Sequence, residues 1–223
     1  MKKFLSSLIL VLSISVSAQD TIEKTVGEFK TLKVFDLINV KMKKSDENKV
    51  IISGKNRKDV QVINKNGKLK IRMKLEESYD GNDTVVLLYY TSVEVIDANE
   101  GANIKVEEPI EQFEIDLKTQ EGGEITAALN TKYANFRAVT GGIINVSGSS
   151  KNQDISIYTG GIVNGEDLKT EETEVSINAG GEAYVNASEK VEVRIKAGGD
   201  LFIYGNPKVV DENRVLGGRI KRM

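Results

Sequence analysis

Glycine pairs recur along the second half of the chain at a nearly constant interval. Successive pairs begin 19, 19, 20, 18 and 19 residues apart. A fixed period of this length is typical of repeat architectures in which each repeat is one supersecondary unit. A single glycine, Gly101, precedes the first pair by about one period and extends the series to seven units. The pairs begin at Gly122, Gly141, Gly160, Gly180, Gly198 and Gly217.

Apolar and polar residues alternate on both sides of each glycine. In the six units from Gly101 to Gly198, the third and fifth residues before and after the first glycine are apolar in 22 of 24 cases, against 39% hydrophobic residues overall. This alternation predicts short strands with one buried face, and the glycines allow a tight corner between them. Because one unit cannot bury its apolar face alone, stacked units predict an all-β, parallel β-helix-like solenoid. An antiparallel sandwich is the alternative.

Residues 19–92 do not follow this repeat. They are predicted to form a β-rich N-terminal portion that caps the solenoid of residues 93–223, whose first turn would otherwise expose unpaired strand edges. Asn66-Gly67, between two alternating stretches, predicts a β-hairpin. The nearly unbroken apolar run Thr84–Tyr90 predicts a strand that is covered on both faces.

The far end of the repeat becomes polar. Glu212 and Arg214 occupy positions that are apolar in the other units. A solvated last turn is what a C-terminal cap requires, so we expect one here. Residues 19–223 are therefore expected to form one continuous domain.

Residues 1–18 are typical of a secretory signal peptide. A basic start at Lys2 and Lys3 precedes the apolar stretch Phe4–Val16, and Ser17-Ala18 completes a small-residue cleavage pattern before Gln19. The apolar stretch is too short for a stable membrane anchor, and no cysteine follows it, so we expect neither membrane insertion nor a lipid anchor. The protein is expected to be exported, and the sequence leaves open whether it stays in the periplasm or reaches the cell surface or medium.

The composition argues against several classes of function. The net charge of −2 becomes −4 once Lys2 and Lys3 are removed, which gives no basic surface for nucleic acid. Without histidine or cysteine, Ser-His-Asp and Cys-His catalytic groups and His/Cys zinc sites cannot form. We therefore predict no enzyme activity, no catalytic residue, no cofactor and no metal ligand. The loop Asp80–Asp83 could offer oxygen ligands to calcium, but it lacks the full calcium-loop spacing and is interpreted as a solvated turn.

Carboxylates near the corners support an alternative function. Glu100, Glu121, Glu124, Glu182 and Asp200 lie close to the corners, and stacking would bring pairs of them together. Glycosidases need two opposed carboxylates, so a polysaccharide lyase or hydrolase on a solenoid fold is the alternative by analogy. A charged outer face that keeps the rod soluble is the simpler interpretation. A structural envelope protein that works by self-association is a further hypothesis.

A few outward positions are apolar or aromatic where most units have polar residues. In two adjacent units the residues two before and two after the corner are apolar or aromatic, and two more aromatic residues follow on outward positions. Stacking is expected to join them in one exposed contact strip for sugar rings or a partner protein. A neighbouring loop that covers the strip is the alternative. The candidate strip comprises Val139, Ile143, Tyr158, Ile162, Tyr184 and Phe202.

Four segments resemble the head GIN domain family of autotransporter adhesin heads. They are Ile157–Val163 (I-Y-T-G-G-I-V), Ile203–Pro207 (I-Y-G-N-P), Phe29–Val34 (F-K-T-L-K-V) and Asn66–Ile71 (N-G-K-L-K-I). The resemblance covers nearly all of the chain after residue 18. It implies a right-handed β-helix-like fold in a secreted bacterial protein and implies no particular ligand. We therefore expect a non-enzymatic extracytoplasmic module, adhesin-like, that binds a surface glycan or a protein.

Overall fold

The computed structural model describes residues 20–223, which form an all-β structure. The two helices among them are single 3₁₀ turns at Arg57–Asp59 and Leu75–Glu77. No helix in this part of the chain is long and apolar enough to cross a membrane. The predicted signal peptide, residues 1–18, lies outside the described residues. The strands are β1 (Ile22–Thr25), β2 (Thr31–Val34), β3 (Asn39–Lys44), β4 (Lys49–Gly54), β5 (Val60–Lys65), β6 (Lys68–Met73), β7 (Thr84–Tyr90), β8 (Val95–Ala98), β9 (Asn103–Val106), β10 (Ile110–Gln120), β11 (Glu124–Val139), β12 (Ile143–Tyr158), β13 (Ile162–Ile177), β14 (Glu182–Ala197), β15 (Asp200–Tyr204), β16 (Val209–Leu216) and β17 (Arg219–Arg222).

Four long strands, β11 to β14, show how the chain winds. Each has 16 residues, begins just after one glycine corner and ends just before the next. Neighbouring long strands pair in parallel, and β11 stays in register with β12 from Glu124↔Ile143 to Val139↔Tyr158. Each long strand passes from one side of the rod to the other near its middle, so the turns build two sheets. We call the sheet that follows each corner the front sheet and the sheet that precedes each corner the back sheet.

Alternate side chains of both sheets point into one continuous core. In β11 the buried residues have odd numbers up to Leu129 and even numbers from Ala134, so the pattern shifts where the strand changes sheet. Ile125 in the front sheet and Phe136 in the back sheet are both buried. The predicted β-solenoid with a repeat of about 19 residues is therefore confirmed.

The two glycines of a corner have different roles. At the corner Tyr158–Gly161, Gly161 N donates to Tyr158 O at 3.3 Å, and Thr159 and Gly160 have φ values of 49° and 75°. Positive φ at both central residues is typical of a type I′ turn, and glycine adopts it without a steric penalty. Gly161 instead faces the core, where an added Cβ would lie 2.4 Å from Ala138 O of the preceding turn. We call the edge of the rod where the corners stack the glycine edge.

Two further turns of the stack come from the N-terminal portion. β2 and β3 pair in parallel with β8 and β9, and β6 and β7 pair in parallel with β2 and β3. The turn β2–β3 therefore lies between β6–β7 and β8–β9, out of chain order. Its corner, Phe35–Ile38, contains no glycine, and Asp36 and Leu37 have φ values of 59° and 61°. The Asp36 carboxylate supports this corner by accepting hydrogen bonds from Met73 N at 3.0 Å and Tyr79 N at 3.2 Å.

Antiparallel strands lie at the N-terminal end of the stack. β4 pairs with β7, β1 with β4, and β5 with β6. The predicted hairpin is confirmed, since β5 and β6 are joined through Asn66 and Gly67 with φ values of 53° and 70°. The prediction that Thr84–Tyr90 is covered on both faces is wrong, because its side chains alternate and Val85 is 37% exposed. A strand with a hydrogen-bonded neighbour on each side can still have one solvated face.

The last turn, formed by β16 and β17, is largely solvated. β16 pairs in parallel with β14, and β17 pairs in parallel with β15. Glu212 and Arg214 are exposed, as the sequence predicted, while Val210 and Ile220 pack partly against the core. Polar side chains at inward positions thus separate the core from solvent at this end.

Candidate binding surface

The six residues of the predicted strip do not form one surface. Val139 and Tyr158 are register neighbours on the back sheet, whereas Ile143 and Ile162 are register neighbours on the front sheet. The corner between the two pairs reverses the chain, so they lie on opposite sides of the glycine edge. All four side chains are partly buried. The single strip is therefore corrected to separate patches on two sheets, and a contact role for these residues stays a prediction.

The remaining two residues of the strip, Tyr184 and Phe202, form an aromatic stack on the front sheet. They are register neighbours on β14 and β15, with ring centroids 4.6 Å apart and planes 6° from parallel. This spacing is close to the separation of neighbouring strands, roughly 4.8 Å, so the register itself stacks the rings. Lys221 Nζ lies 5.5 Å from the Phe202 ring centroid on the next turn. The Tyr184 hydroxyl donates to Glu182 Oε2 at 2.8 Å, which helps to orient its ring.

A ladder of amide side chains continues the same column of the front sheet. Asn164 is the register neighbour of Tyr184, and Asn145 is the register neighbour of Asn164. Asn164 Nδ2 donates to Asn145 Oδ1 at 2.7 Å, and Asn145 Nδ2 donates to Glu124 Oε1 at 2.7 Å. Each amide is thus held by its neighbour. This ladder was not predicted from the sequence, although asparagine at the same position of two adjacent units was a usable signal.

A β-bulge beside the amide ladder is associated with a shallow groove. Between Asn164 and Asp167, β13 has one residue more than β12 has between Asn145 and Ser147. Bulges bend a strand and redirect its side chains, and here Glu166 and Asp167 line the concave surface. We call this surface the front groove. Its polar lining consists of Thr126, Asn145, Ser147, Asn164, Glu166 and Asp167.

Glu166 carries an unsatisfied polar atom in the front groove. Its Oε2 atom is buried and has no hydrogen-bond partner among residues 20–223. Its backbone oxygen accepts a hydrogen bond from Asn186 Nδ2 at 2.8 Å, which ties the bulge to the next turn. A buried acceptor without a donor costs on the order of 1–3 kcal/mol, so this oxygen destabilises the bulge.

Three of the carboxylates singled out near the corners have partners within the protein. Asp200 accepts hydrogen bonds from Nε and Nη2 of Arg219, and these bonds lower the pKa of Asp200. Glu124 accepts a hydrogen bond from Asn145 of the amide ladder, and Glu182 accepts one from the Tyr184 hydroxyl. Each of these three carboxylates is therefore engaged by a neighbouring side chain.

Glu100 and Glu121 stack with Asp36 along the glycine edge. Leu37 N donates to Glu100 O at 2.9 Å, and Gly101 N donates to Glu121 O at 2.9 Å, so the backbone sets this stacking. Burial, and after it the Asp36 and Glu121 carboxylates, raise the pKa of Glu100. The carboxylates of Asp36 and Glu121 therefore repel that of Glu100.

The loop Asp80–Asp83, considered as a calcium loop, is tied to the rest of the protein. Asn56 Nδ2 donates to Asp80 Oδ2 at 2.7 Å, and Asn39 Nδ2 donates to Asn82 O at 3.1 Å. Within the described chain, no group of three or more His, Cys, Asp or Glu residues could hold a metal ion. The loop is held as a turn by side-chain hydrogen bonds.

A protein-family model matches most of the chain. The model of the family described as "putative auto-transporter adhesin, head GIN domain" matches residues 28–207. The chain belongs to the head GIN domain family. The match runs from just before β2 to just after β15, so the front groove and the aromatic stack of this head GIN domain lie inside it. The resemblance inferred from the sequence is confirmed.

Solved structures share the fold of this head GIN domain. A putative adhesin from Bacteroides fragilis aligns with a TM-score of 0.84 at 16% identity, covering 93% of this chain and 98% of that chain. A putative adhesin from Parabacteroides merdae gives a TM-score of 0.73 at 16% identity, covering 93% and 97%. A putative lipid binding protein from Parabacteroides distasonis gives 0.68 at 13% identity, covering 93% and 98%. No curated protein matches the chain. At these identities the likeness shows the fold alone.

Proposed function

We propose that this head GIN domain is a non-enzymatic, extracytoplasmic binding module that contacts a surface glycan or protein through its front sheet. The observation that carries the proposal is the Tyr184–Phe202 stack beside the front groove. The two rings, each partly buried, lie on the outer face of a sheet that is otherwise mostly polar. Aromatic residues suit binding surfaces because they offer a large contact area and lose little conformational entropy.

The front sheet is ordered before any partner arrives. At its glycine edge the backbone ladder continues from turn to turn, with Ile162 N to Gly142 O at 2.9 Å and Glu182 N to Gly161 O at 3.0 Å. The side-chain ladder of Asn145 and Asn164 follows the same stacking. A surface that is already in place avoids part of the entropic cost of association, so modest contacts can give useful affinity.

The family and its solved relatives support the adhesin-like part of the proposal. The family is described as an adhesin head, and two solved proteins with this fold are described as putative adhesins. A place at the cell surface or outside the cell agrees with that description and with the predicted signal peptide.

The chemistry of the chain supports a binding role rather than catalysis. The sequence has neither histidine nor cysteine to serve as base or nucleophile. The corner carboxylates Glu124, Glu182 and Asp200 are engaged by partners within the protein. The aromatic and amide side chains of the front sheet can hold a ligand without altering it.

Retention on immobilised ligands tests the proposal. The purified mature protein is applied to bacterial, host and plant polysaccharides and to intact cells, and retention and release of reducing or unsaturated sugar ends are measured in the same wells. We expect retention without release. A double variant, Tyr184→Ala with Phe202→Ala, should lose retention, whereas Tyr158→Ala on the back sheet should keep it.

Two results would contradict the proposal. Release of sugar ends would show catalysis and would direct mutation to the corner carboxylates. Retention that survives the loss of both Tyr184 and Phe202 would show that the front sheet is not the contact surface.

A further inference from the structure

We infer that the front groove binds a neutral, hydroxyl-rich glycan, with one sugar ring against Tyr184 and neighbouring hydroxyls on Asn164 and Glu166. The inference rests on the proposed function, since it names the ligand class of the same sheet.

Tyr184 supplies the apolar contact. Phe202 covers one face of its ring, and Lys221 lies beyond Phe202, so that end of the column is occupied. On the other side the register neighbour is Asn164, a much smaller side chain. The ring of Tyr184 therefore projects farther from the sheet than the neighbouring amide side chain. The apolar C–H face of a pyranose ring packs against such an aromatic surface.

The amide ladder and Glu166 supply the polar contacts. A sugar hydroxyl both donates and accepts, and an asparagine side chain offers both a donor and an acceptor group. Glu166 and Asp167 line the groove, and their carboxylates are acceptors for ligand hydroxyls. Hydroxyl groups are thus the ligand groups that this combination of side chains recognises.

The charge of the groove selects against acidic glycans. Glu166 and Asp167 line it, and no lysine or arginine of the described chain does. The nearest basic residues of the same column, Lys105 and Lys221, lie beyond its two ends, next to Thr126 and Phe202. A uronate or sulfated sugar in the groove would face two carboxylates without a counter-charge, and like-charge contacts of this kind disfavour a ligand.

The stacking of the turns also suits a polymer. Asn145, Asn164 and Tyr184 follow one another on successive strands, roughly 4.8 Å apart along the rod. The rings of an extended glycan recur on a similar length scale. A chain lying along the rod axis can therefore contact Tyr184, Asn164 and Asn145 with successive sugar units.

Calorimetric titration of the purified mature protein tests the inference. The probes are soluble cello-, laminari-, manno- and xylo-oligosaccharides, with oligogalacturonate and heparin oligosaccharides as the acidic set. We expect saturable binding of a neutral probe that grows tighter with its length. The ligand should also shift the side-chain amide NMR signals of Asn145 and Asn164.

Matched variants locate the site. Tyr184→Ala should weaken neutral-glycan binding about tenfold, which corresponds to ~1.4 kcal/mol, while Tyr184→Phe, which keeps the ring, should bind within about twofold, or ~0.4 kcal/mol. Asn164→Ala should also weaken binding, and it keeps the test open if Tyr184→Ala does not fold. Tyr158→Ala, an aromatic change on the back sheet, should bind like the unchanged protein. Thermal melts confirm that each variant is folded.

Three results would overturn the inference. They are tighter binding of the acidic probes, neutral-glycan binding that Tyr184→Ala and Asn164→Ala leave unchanged, and no saturable binding of any neutral probe. In the last case, retention on cells that still depends on Tyr184 and Phe202 would leave the proposed function intact and point to a protein partner. Loss of that dependence as well would overturn both.

Discussion

Alanine replacement of the two glycines at one corner is expected to destabilise the solenoid by very different amounts. At Gly160, φ is 75° and nothing lies within 4 Å of an added Cβ, so the cost is conformational alone. A left-handed backbone costs a residue with a Cβ roughly 1–2 kcal/mol. Alanine also reduces the entropy of the unfolded chain, which offsets about 0.4–1 kcal/mol. We expect Gly160→Ala to lower the free energy of unfolding by about 1 kcal/mol.

At Gly161 the cost is steric, because φ there lies outside the left-handed region. An added Cβ would lie 2.4 Å from Ala138 O and 2.6 Å from Ala138 C. These backbone atoms belong to a strand inside the stack and cannot rotate away as a side chain could. Overpacking of a core typically costs 1–3 kcal/mol when side chains can adjust. We therefore expect Gly161→Ala to lower the free energy of unfolding by about 3 kcal/mol or more.

Urea denaturation followed by far-ultraviolet circular dichroism measures both losses against the unchanged protein. The two variants have the same composition, so the comparison isolates the position of the methyl group. In a domain of this size about 1 kcal/mol shifts Tm by roughly 2–4 °C, which gives an independent reading. Equal losses, or the larger loss at Gly160, would refute the view that packing rather than conformation dictates the second glycine.

Three further predictions concern the front sheet and the glycine edge. Arg219 lowers the pKa of Asp200 in the folded protein. The resulting stabilisation is complete above the unfolded-state pKa of the carboxyl group and is lost as pH falls through its folded-state pKa. Asp200→Asn should therefore reduce Tm at neutral pH and reduce the loss of Tm on acidification. The pKa of Glu100 is raised, so ionisation of Glu100 destabilises the fold. Glu100→Gln should therefore raise Tm at neutral pH but not in acid. A double-mutant cycle with alanine at Tyr184 and Phe202 should give a coupling energy of about 1 kcal/mol in urea denaturation.

Each of these predictions has a clear contrary result. Tm values of Asp200→Asn that coincide with those of the unchanged protein at every pH would mean that the ion pair adds no stability. A loss of Tm for Glu100→Gln at neutral pH would mean that its charge is favourable at the glycine edge. A coupling energy near zero would mean that the two rings are only neighbours by register and do not stabilise one another.

Much of the fold could be predicted because its repeat depends on short-range patterns. The period, the corners and the inward residues follow from glycine positions and from alternation within a few residues. The turn β2–β3 was missed because its corner Phe35–Ile38 has no glycine. Asp36 and Leu37 take the left-handed conformation instead, and Asp36 is held there by hydrogen bonds from Met73 and Tyr79, distant in sequence.

The candidate site was only partly predictable. Tyr184 and Phe202 were identified as outward aromatic residues, and the register of the turns stacks them. The single strip failed because Val139 and Ile143 are only four residues apart, yet the corner between them places them on different sheets. The front groove was missed because it lies beside the bulge at Glu166, which changes the register between neighbouring strands.

The period of the solenoid, its glycine corners and most residues that enter the core follow from the amino-acid sequence, because each depends on backbone conformation and on alternation along a short stretch. The stacking of the turns in three dimensions sets which outward residues share a surface and which turns are neighbours. Thr31 lies beside Val95 and Lys68, and Asn164 lies between Asn145 and Tyr184. Such neighbours are set by hydrogen bonding between strands of different turns, and the alternation of residues within one strand does not show which strands pair.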